Sequence, residues 1–183
     1  MKEIEVKVLE INQQEIIKRL ESLGAKRILS NALIEDCRFD FRDNLLKKKK
    51  ELLRLRKIEK DAYLTYKNNY SVQNNVRNQD EFETKVGDSE QMKNILLGLG
   101  LQVKSIRQKR RTSYLYQDIR IEIDNFPKIP VFLEIEAPSE QKIRQMLEIL
   151  DIPLEKAIPL TSGEVLKKYC KDDKHLIFPN SNT

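Results

Sequence analysis

Charged and apolar residues alternate along several short segments of this chain, and the charged positions carry both signs. The pattern Glu-x-Glu-x-Lys occurs at residues 3–7 and again at residues 81–85. Related alternation recurs at residues 54–56, 120–124 and 134–136. Successive side chains of a β-strand point to opposite faces, so each segment places its charges on one face and its apolar residues on the other. Carboxylates two residues apart on one strand face repel each other, which indicates that something cationic gathers them.

The length and composition of the chain limit the fold to one domain of high charge content. The 183 residues are enough for a sizeable core, and we predict one domain over residues 1–170 and a C-terminal tail over residues 171–183. Hydrophobic residues make up 39% and charged residues 34% of the chain. A barrel with a charged inner face has this balance, and so does a very polar surface. The net charge of +5 favours anionic partners without identifying them.

Several kinds of site are excluded by residues that the chain lacks or isolates. Cys37 and Cys170 have no metal-ligand spacing, and this usage fits a reducing compartment. The single histidine, His175, lies in the expected tail, which argues against a catalytic triad or a histidine-rich zinc site. The glycines form no phosphate-binding loop. No apolar run approaches membrane-spanning length, and we predict a cytoplasmic protein whose metal, if any, is a hard ion held by oxygen atoms.

Helical patterns follow three of the charged segments. We predict helices that begin after N-caps at Asn12, at Asp88 or Ser89, and at Ser139. Gly24 and Gly100 close the first two of these helices. The first and second Glu-x-Glu-x-Lys segments are separated by a constant offset of 78 residues, and each is followed by such a helix. This arrangement indicates two halves built on one plan.

Further strands and turns complete the pattern. We predict strands over residues 32–41, 52–57, 62–67, 104–116 and 119–125. Hairpin loops are expected at the lysine run 47–50 and at the Asn- and Gln-rich segment 68–78.

The apolar stripes of the helices need a sheet to cover, and the apolar faces of the charged strands are suitable partners. The charged faces then point away from the helices. In an open sheet they lie in water, whereas in a closed sheet they line a polar tunnel. The acids that share this face are Glu3, Glu5, Glu81, Glu83, Glu122, Asp124, Glu134 and Glu136. The bases are Lys7, Arg54, Arg56, Lys67, Lys85, Lys109, Arg111 and Arg120. A lining of both signs suits a polyanionic ligand bound with a metal ion.

The order of these motifs resembles the CYTH family, the triphosphate tunnel metalloenzymes, from residue 1 to about residue 169. The matching motifs are Glu3-x-Glu5-x-Lys7, Leu53-Arg54-Leu-Arg56, Thr65-Tyr-Lys67, Glu81-Phe-Glu83 with Asp88, Lys109-Arg-Arg111-x-x-Tyr114, Ile123-Asp124 and Phe132-Leu-Glu134-Ile-Glu136. The resemblance implies an α+β fold, with a closed antiparallel eight-stranded β-barrel and helices packed outside it. The CYTH family includes class IV adenylate cyclases and thiamine triphosphatases, and the pattern of this chain is most similar to that of the cyclase branch.

The resemblance also implies roles for individual residues. Mg²⁺ or Mn²⁺ is expected at Glu3, Glu5, Asp124, Glu134 and Glu136. The phosphates of a triphosphate substrate are expected at Lys7, Arg54, Arg56, Lys67, Lys109 and Arg111. The remaining residues expected to line the tunnel are Glu81, Glu83, Lys85, Arg120 and Glu122.

The implied reaction is conversion of ATP to cyclic AMP and pyrophosphate, and the alternative is hydrolysis of thiamine triphosphate, inorganic triphosphate or a nucleoside triphosphate. A third hypothesis, a non-catalytic polyphosphate or nucleic-acid binder, conflicts with the paired carboxylates, which nucleic acid would repel. We expect a monomer or a homodimer. The chain departs from the family pattern at Asn68-Asn69, at residues 128–131 and at Arg38, where an aromatic residue is frequent. These departures are expected at loops and rims.

Overall fold

The computed structural model describes the backbone of residues 2–73 and 76–179, and the side chains of these residues other than 2, 3, 73, 76 and 77. The strands of this part of the chain are β1 Lys2–Val8, β2 Lys26–Asp40, β3 Leu52–Ile58, β4 Asp61–Gln73, β5 Val76–Val86, β6 Gln102–Tyr116, β7 Ile119–Asn125, β8 Phe132–Ala137, β9 Ala157–Ile158 and β10 His175–Leu176. The α-helices are α1 Gln13–Ser22, α2 Leu45–Lys48, α3 Ser89–Gly98, α4 Glu140–Ile149 and α5 Ser162–Tyr169. A short 3₁₀ helix spans Leu154–Lys156.

Strands β1 to β8 form one closed antiparallel barrel. Neighbours follow the order β1-β5-β4-β3-β2-β6-β7-β8, and β8 pairs again with β1. Closure leaves these strands without a free edge. The prediction of an α+β, eight-stranded closed barrel is therefore confirmed, and the open-sheet alternative is wrong.

The barrel consists of two topologically equivalent halves. Strands β1 to β4 correspond to β5 to β8, because β1 pairs with β5, β2 pairs with β6, and the β4–β5 pairing matches the β8–β1 pairing. Helices α1 and α3 follow the first strand of each half. This topology agrees with the two-halves hypothesis.

The helices begin and end where local chemistry predicts. Asn12 Oδ1 accepts from the Glu15 amide at 3.3 Å, and Ser139 Oγ accepts from the Lys142 amide at 3.3 Å. Asp88, not Ser89, caps α3 and accepts from two amides of its first turn. Gly24 and Gly100 follow α1 and α3 with φ of +71° and +88°, a conformation that glycine adopts without steric cost.

The apolar strand faces lie outside the barrel, under the helices. The largest core cluster joins α1 and α4 to the outer faces of β1, β7 and β8 through Val6, Leu20, Ile121, Ile135 and Met146, among others. A second cluster packs Leu96 of α3 against Phe39 and Leu55. Since the apolar faces are covered in this way, the alternating charged residues point inward.

Two predicted hairpin loops differ in detail from the structure. The loop predicted over residues 68–78 is wrong for residues 68–73 and 76–78, because these belong to β4 and β5, which pair as a hairpin with a register shift after Asn68. Ladder hydrogen bonds outweigh the low β-propensity of Asn and Gln there. Residues 74 and 75 lie outside the described residues. The lysine run lies in the connection between the antiparallel strands β2 and β3, as predicted, but its first two residues belong to α2. Asp40 supports this short helix by accepting from the amides of Leu46 and Lys47 at 2.9 and 3.0 Å.

The segment that follows α5 contacts the barrel. β10 pairs in parallel with β6, Leu176 is buried, and Asp173 forms an ion pair with Arg107 at 2.5 Å. The expectation of a tail over residues 171–183 is revised for this part of it. Residues 180–183 lie outside the described residues.

Candidate active site

Buried charged side chains of several strands share the interior of the barrel. The strand registers place Lys7 opposite Glu134, Glu5 opposite Glu136, and Asp124 opposite Arg111. The charged side chains buried here include Glu5, Lys7, Asp36, Arg54, Arg56, Lys67, Arg107, Lys109, Arg111, Glu122, Asp124 and Glu134. Buried charges are stable only when they are paired or hydrogen-bonded. The contacts inside the barrel meet this condition at most positions.

Lys7 joins two carboxylates of neighbouring strands. Its Nζ lies 2.6 Å from Glu5 Oε1 and 2.7 Å from Glu134 Oε2. Burial opposes ionisation of Glu134, but Lys7 and Arg111 hold the pKa of this carboxyl well below its usual range. The predicted phosphate residue Lys7 and the predicted metal ligands Glu5 and Glu134 are thus in direct contact.

Asp124 positions two cations of β6. Its carboxylate accepts from Arg111 Nε and Nη2 at 2.5 and 2.6 Å and from Lys109 Nζ at 2.8 Å. Arg111 also forms an ion pair with Glu122. Burial and then the neighbouring Arg111 lower the pKa of Lys109 to about 8, although Asp124 opposes this. Asp124 orients Lys109 and Arg111 in this structure, and its assignment as a metal ligand stays a prediction.

A basic wall is formed by β3 and β4. Arg56 donates to Asp36 from Nε at 2.6 Å and from Nη2 at 2.9 Å, which is a bidentate pair. Arg54 makes longer contacts, at 3.4 Å to Glu81 and 3.3 Å to Thr65. Lys67 Nζ lies 2.8 Å from Glu81 Oε2. Arg54 is therefore held less tightly than Arg56.

Carboxylates dominate the opposite wall, where β1, β7 and β8 meet. Burial and the charges of Glu122 and Glu134 raise the pKa of Glu136 to about 7; Arg120 opposes this and Glu5 adds to it. Among the described residues, no cation lies within ion-pair distance of Glu136. These oxygens are hard donors of the kind that Mg²⁺ and Mn²⁺ prefer.

The carboxylate oxygens of this wall are the type of ligand that a hard divalent cation binds. As the side chains stand, no three His, Cys, Asp or Glu residues of the described chain form a ready-made metal cluster. The repulsion around Glu136 is what a bound cation would relieve. Glu3, a further predicted ligand, lies in β1 opposite Gln79, but its side chain is outside the described residues.

Three predicted lining residues lie towards the barrel openings. Glu83 is exposed and accepts from Thr65 at 2.7 Å, and Arg120 is exposed opposite Glu136. The Lys85 side chain is 64% exposed and pairs with Asp61 at 2.7 Å. The prediction that Lys85 lines the tunnel is therefore corrected, because β5 carries it beyond the enclosed part.

Three further residues face inward and were not predicted from the sequence to do so: Asp36, Arg38 and Arg107. Their signal was present, since β2 carries Asp36-x-Arg38 and β6 carries Arg107 two residues before Lys109. Arg38 was expected at a rim, but its backbone lies opposite Arg54 of β3 and its guanidinium group lies beside Gly163 of α5. The register of β2, which sequence alternation does not specify, determines this position.

A closed eight-stranded barrel lined by paired charges of both signs belongs to the triphosphate-tunnel class of folds. The CYTH domain family model matches residues 1–163. The chain therefore belongs to the CYTH family, whose members act on triphosphates as adenylate cyclases or triphosphatases and depend on divalent metal ions.

Individual relatives agree with this assignment. A Methanocaldococcus jannaschii protein named "putative adenylate cyclase MJ0240" is 27% identical over 174 residues, which are 92% of this chain and 95% of its own. The PH1012 protein of Pyrococcus horikoshii is 29% identical, with a TM-score of 0.74 over 89% of this chain and 98% of its own. The structure of a protein from Vibrio parahaemolyticus named a putative adenylate cyclase has a TM-score of 0.78 at 15% identity, over 90% of this chain and 97% of its own.

None of the helices in the described residues is long and apolar enough to cross a membrane.

Proposed function

We propose that the barrel binds the phosphate chain of a triphosphate and catalyses a metal-dependent reaction on it. One observation carries this proposal: a carboxylate wall around Glu134 and Glu136 faces a cationic wall around Arg54 and Arg56 inside one closed barrel. A triphosphate carries roughly three to four negative charges, which must be neutralised for transfer at phosphorus. Both walls are needed for that task, because arginine binds phosphate oxygens and carboxylates hold the cation.

The phosphate chain would lie along the cationic side chains. Arg54, with its long contacts to Glu81 and Thr65, can exchange them for phosphate oxygens at low cost. Lys109 and Arg111 are oriented by Asp124, so they would meet the phosphate without reorganisation. Lys67 and Lys7 complete this set. Fixing the chain in this way sets the direction from which a nucleophile approaches phosphorus.

The residues proposed to hold Mg²⁺ or Mn²⁺ are Glu5, Glu134 and Glu136, together with Glu3 and Asp124. When bound, such an ion neutralises phosphate charge and lowers the pKa of an attacking hydroxyl or water. Glu136 is suited to this role because no described cation lies within ion-pair distance of its carboxylate.

The specific reaction that we propose is cyclisation of ATP. The ribose 3′-hydroxyl would attack the α-phosphorus, its proton would leave, and pyrophosphate would depart with the electron pair of the broken P–O bond. The adenylate cyclase names of the full-length relatives support this choice.

Hydrolysis by a triphosphatase is the second candidate. In it, water attacks the terminal phosphorus and loses a proton, the bond from that phosphorus to the bridging oxygen breaks, and the diphosphate departs while the attacked group becomes orthophosphate. The charged lining favours this candidate, because the lining is complementary to a chain of phosphates. ATP, thiamine triphosphate and tripolyphosphate all contain such a chain, whatever group is attached to it.

Product analysis separates the two reactions. The protein is incubated with ATP, thiamine triphosphate or tripolyphosphate, each with Mg²⁺ or Mn²⁺, and the products are separated by ion-exchange chromatography. An Arg111→Met variant serves as the control for contaminating activity. Cyclic AMP from ATP supports the cyclase, and orthophosphate without cyclic AMP supports the triphosphatase. Binding without turnover of any of the three would contradict an enzymatic function.

A further inference from the structure

Two arginines of neighbouring strands converge on the start of α5. Arg38 lies on β2 and Arg107 on β6. A Cβ atom on Gly163 would lie 3.5 Å from Arg38 Nη1 and 3.7 Å from Arg107 Nη1. Both guanidinium groups therefore flank the same side of Gly163, the second residue of α5.

These guanidinium groups have donors that are buried and unused. Within the described residues, Arg38 Nε and Arg107 Nη1 are buried without a hydrogen-bond acceptor. Arg107 uses its other nitrogens, donating from Nε to the Asp173 carbonyl at 2.6 Å and from Nη2 to its carboxylate at 2.5 Å. Arg38 forms no ion pair with any carboxylate in the described part of the chain. Asp36, two residues before it on β2, is engaged by Arg56.

This arrangement is costly in the absence of an anion. A buried donor without an acceptor loses its hydration and gains nothing in return. Burial and the neighbouring Arg107 lower the pKa of Arg38, which shows that its charge is disfavoured where it lies. Arginine nevertheless stays protonated at neutral pH. An anion between the two groups would satisfy both donors and offset the repulsion.

We infer that Arg38 and Arg107 form an anion-binding subsite beside Gly163 that takes the outermost phosphate of a bound phosphate chain. Phosphate suits two converging guanidinium groups because its oxygens accept from several donors at once. The first turn of α5 adds the positive end of its dipole. Arg38 also lies opposite Arg54 in the register, so the subsite continues the cationic wall. The choice of a phosphate chain rests on the proposed function, whereas the anion site itself does not.

Two variants test the subsite by different means. Arg38→Met removes one guanidinium group and keeps an apolar stem of similar length. Gly163→Ala keeps every charge and places a methyl group between the two guanidinium groups, at distances that the structure tolerates. Alanine also favours the helix more than glycine does. Arg42→Met is the matched control, because it removes the same charge from an exposed position.

The measurement is calorimetric titration of each full-length variant with tripolyphosphate in chelator, beside thermal melts without anion. We expect the affinity to fall on the order of 10-fold in Arg38→Met and in Gly163→Ala, the loss of about one hydrogen bond to a charged group. In Arg42→Met it should change less than about 2-fold. Neither test variant should melt lower than wild type without anion, since neither removes a paired group.

Specific results would overturn the inference. If Arg38→Met loses no more affinity than Arg42→Met, the Arg38 charge acts only at long range. Unchanged affinity in Gly163→Ala would place the anion elsewhere. In the wild type, the Nε–H resonance of Arg38 should shift in NMR spectra on addition of tripolyphosphate, and a static resonance would also exclude the subsite. Absence of turnover would contradict the proposed function alone, because these readouts require no catalysis.

Discussion

Lys7 Nζ lies 2.7 Å from Glu134 Oε2, and the Lys7 side chain is 1% exposed. Two residues further along the same strand face, Glu136 has no described cation within ion-pair distance. Burial and the charges of Glu122 and Glu134 raise the pKa of Glu136. Burial also acts on Glu134, but Lys7 and Arg111 outweigh it and lower the pKa of that carboxyl. The two carboxylates of one Glu-x-Glu motif therefore contribute differently to stability.

Replacing Glu136 with Gln should separate catalysis from stability. The substitution keeps the shape, removes a charge that its neighbours repel, and removes a proposed metal ligand. We expect the metal-free Glu136→Gln protein to be at least as stable as wild type and strongly impaired in catalysis. Thermal melts in EDTA and activity assays with added metal measure the two effects. A lower melting temperature with activity retained would mean that Glu136 supports the barrel and holds no metal.

Glu134→Gln is the matched comparison and should behave differently. It leaves the ammonium group of Lys7 with one carboxylate instead of two in a buried site. Breaking a buried ion pair commonly costs about 3–5 kcal/mol. We expect a lower free energy of unfolding in urea for this variant, in contrast to Glu136→Gln. Equal stability of the two variants would contradict the pairing described here.

Catalysis should depend on a divalent cation and not on thiols. We expect EDTA to abolish turnover and Mg²⁺ or Mn²⁺ to restore it. Thiol reagents should leave turnover unchanged, because neither cysteine lies in the barrel interior. Cys37 packs against the second core cluster, and its partial burial there raises the pKa of its thiol to about 11. Cys170 follows α5. Turnover that persists in excess EDTA would remove the metal-dependent mechanism.

Arg54 and Lys57 of β3 test the two faces of one strand. Arg54 is buried in the barrel, while Lys57 pairs outside it with Glu90 of α3 at 2.9 Å. Loss of one hydrogen bond to a charged group costs about 1.5–3 kcal/mol. We therefore expect Arg54→Met to weaken tripolyphosphate binding by about 10-fold or more and Lys57→Met to change it little. Titration calorimetry gives both values, and similar losses would argue against an interior phosphate site.

The Asp36–Arg56 pair should make stability depend on acid. Burial raises the pKa of Asp36, but Arg56 and Arg54 outweigh it and hold this pKa well below its usual range. A lowered carboxyl pKa stabilises the fold above the unfolded value of about 3.9, and this contribution is lost as pH falls through the folded value.

Substitution of Asp36 measures this contribution. At pH 7 we expect Asp36→Asn to lower the free energy of unfolding by about 3–5 kcal/mol, because it leaves a buried arginine unpaired. The difference from wild type should shrink below about pH 4. Asp61→Asn is the control, since the Asp61–Lys85 pair is exposed and screened by solvent and should contribute little to stability. A difference that stays constant down to pH 2 would contradict the assignment.

The two Glu-x-Glu-x-Lys segments show how far sequence reasoning reaches. Their alternation correctly predicted strands with charges on one face and apolar residues under helices. The same pattern predicted the same position for Lys7 and Lys85, yet Lys7 is buried between two carboxylates and Lys85 is mostly exposed. In the register, Glu5 faces Glu136 whereas Glu83 faces Thr65, so equivalent positions of the two halves have different neighbours.

The amino-acid sequence by itself determined the features that depend on near neighbours. Strand alternation, the caps at Asn12 and Ser139, and the glycines that end α1 and α3 all arise within about four residues along the chain. Only the tertiary structure decided which charges meet, because barrel closure and strand register bring together residues as distant in sequence as Lys7 and Glu134. Burial then sets their energies, since the same carboxylate is stabilised beside an ammonium group and destabilised beside other carboxylates.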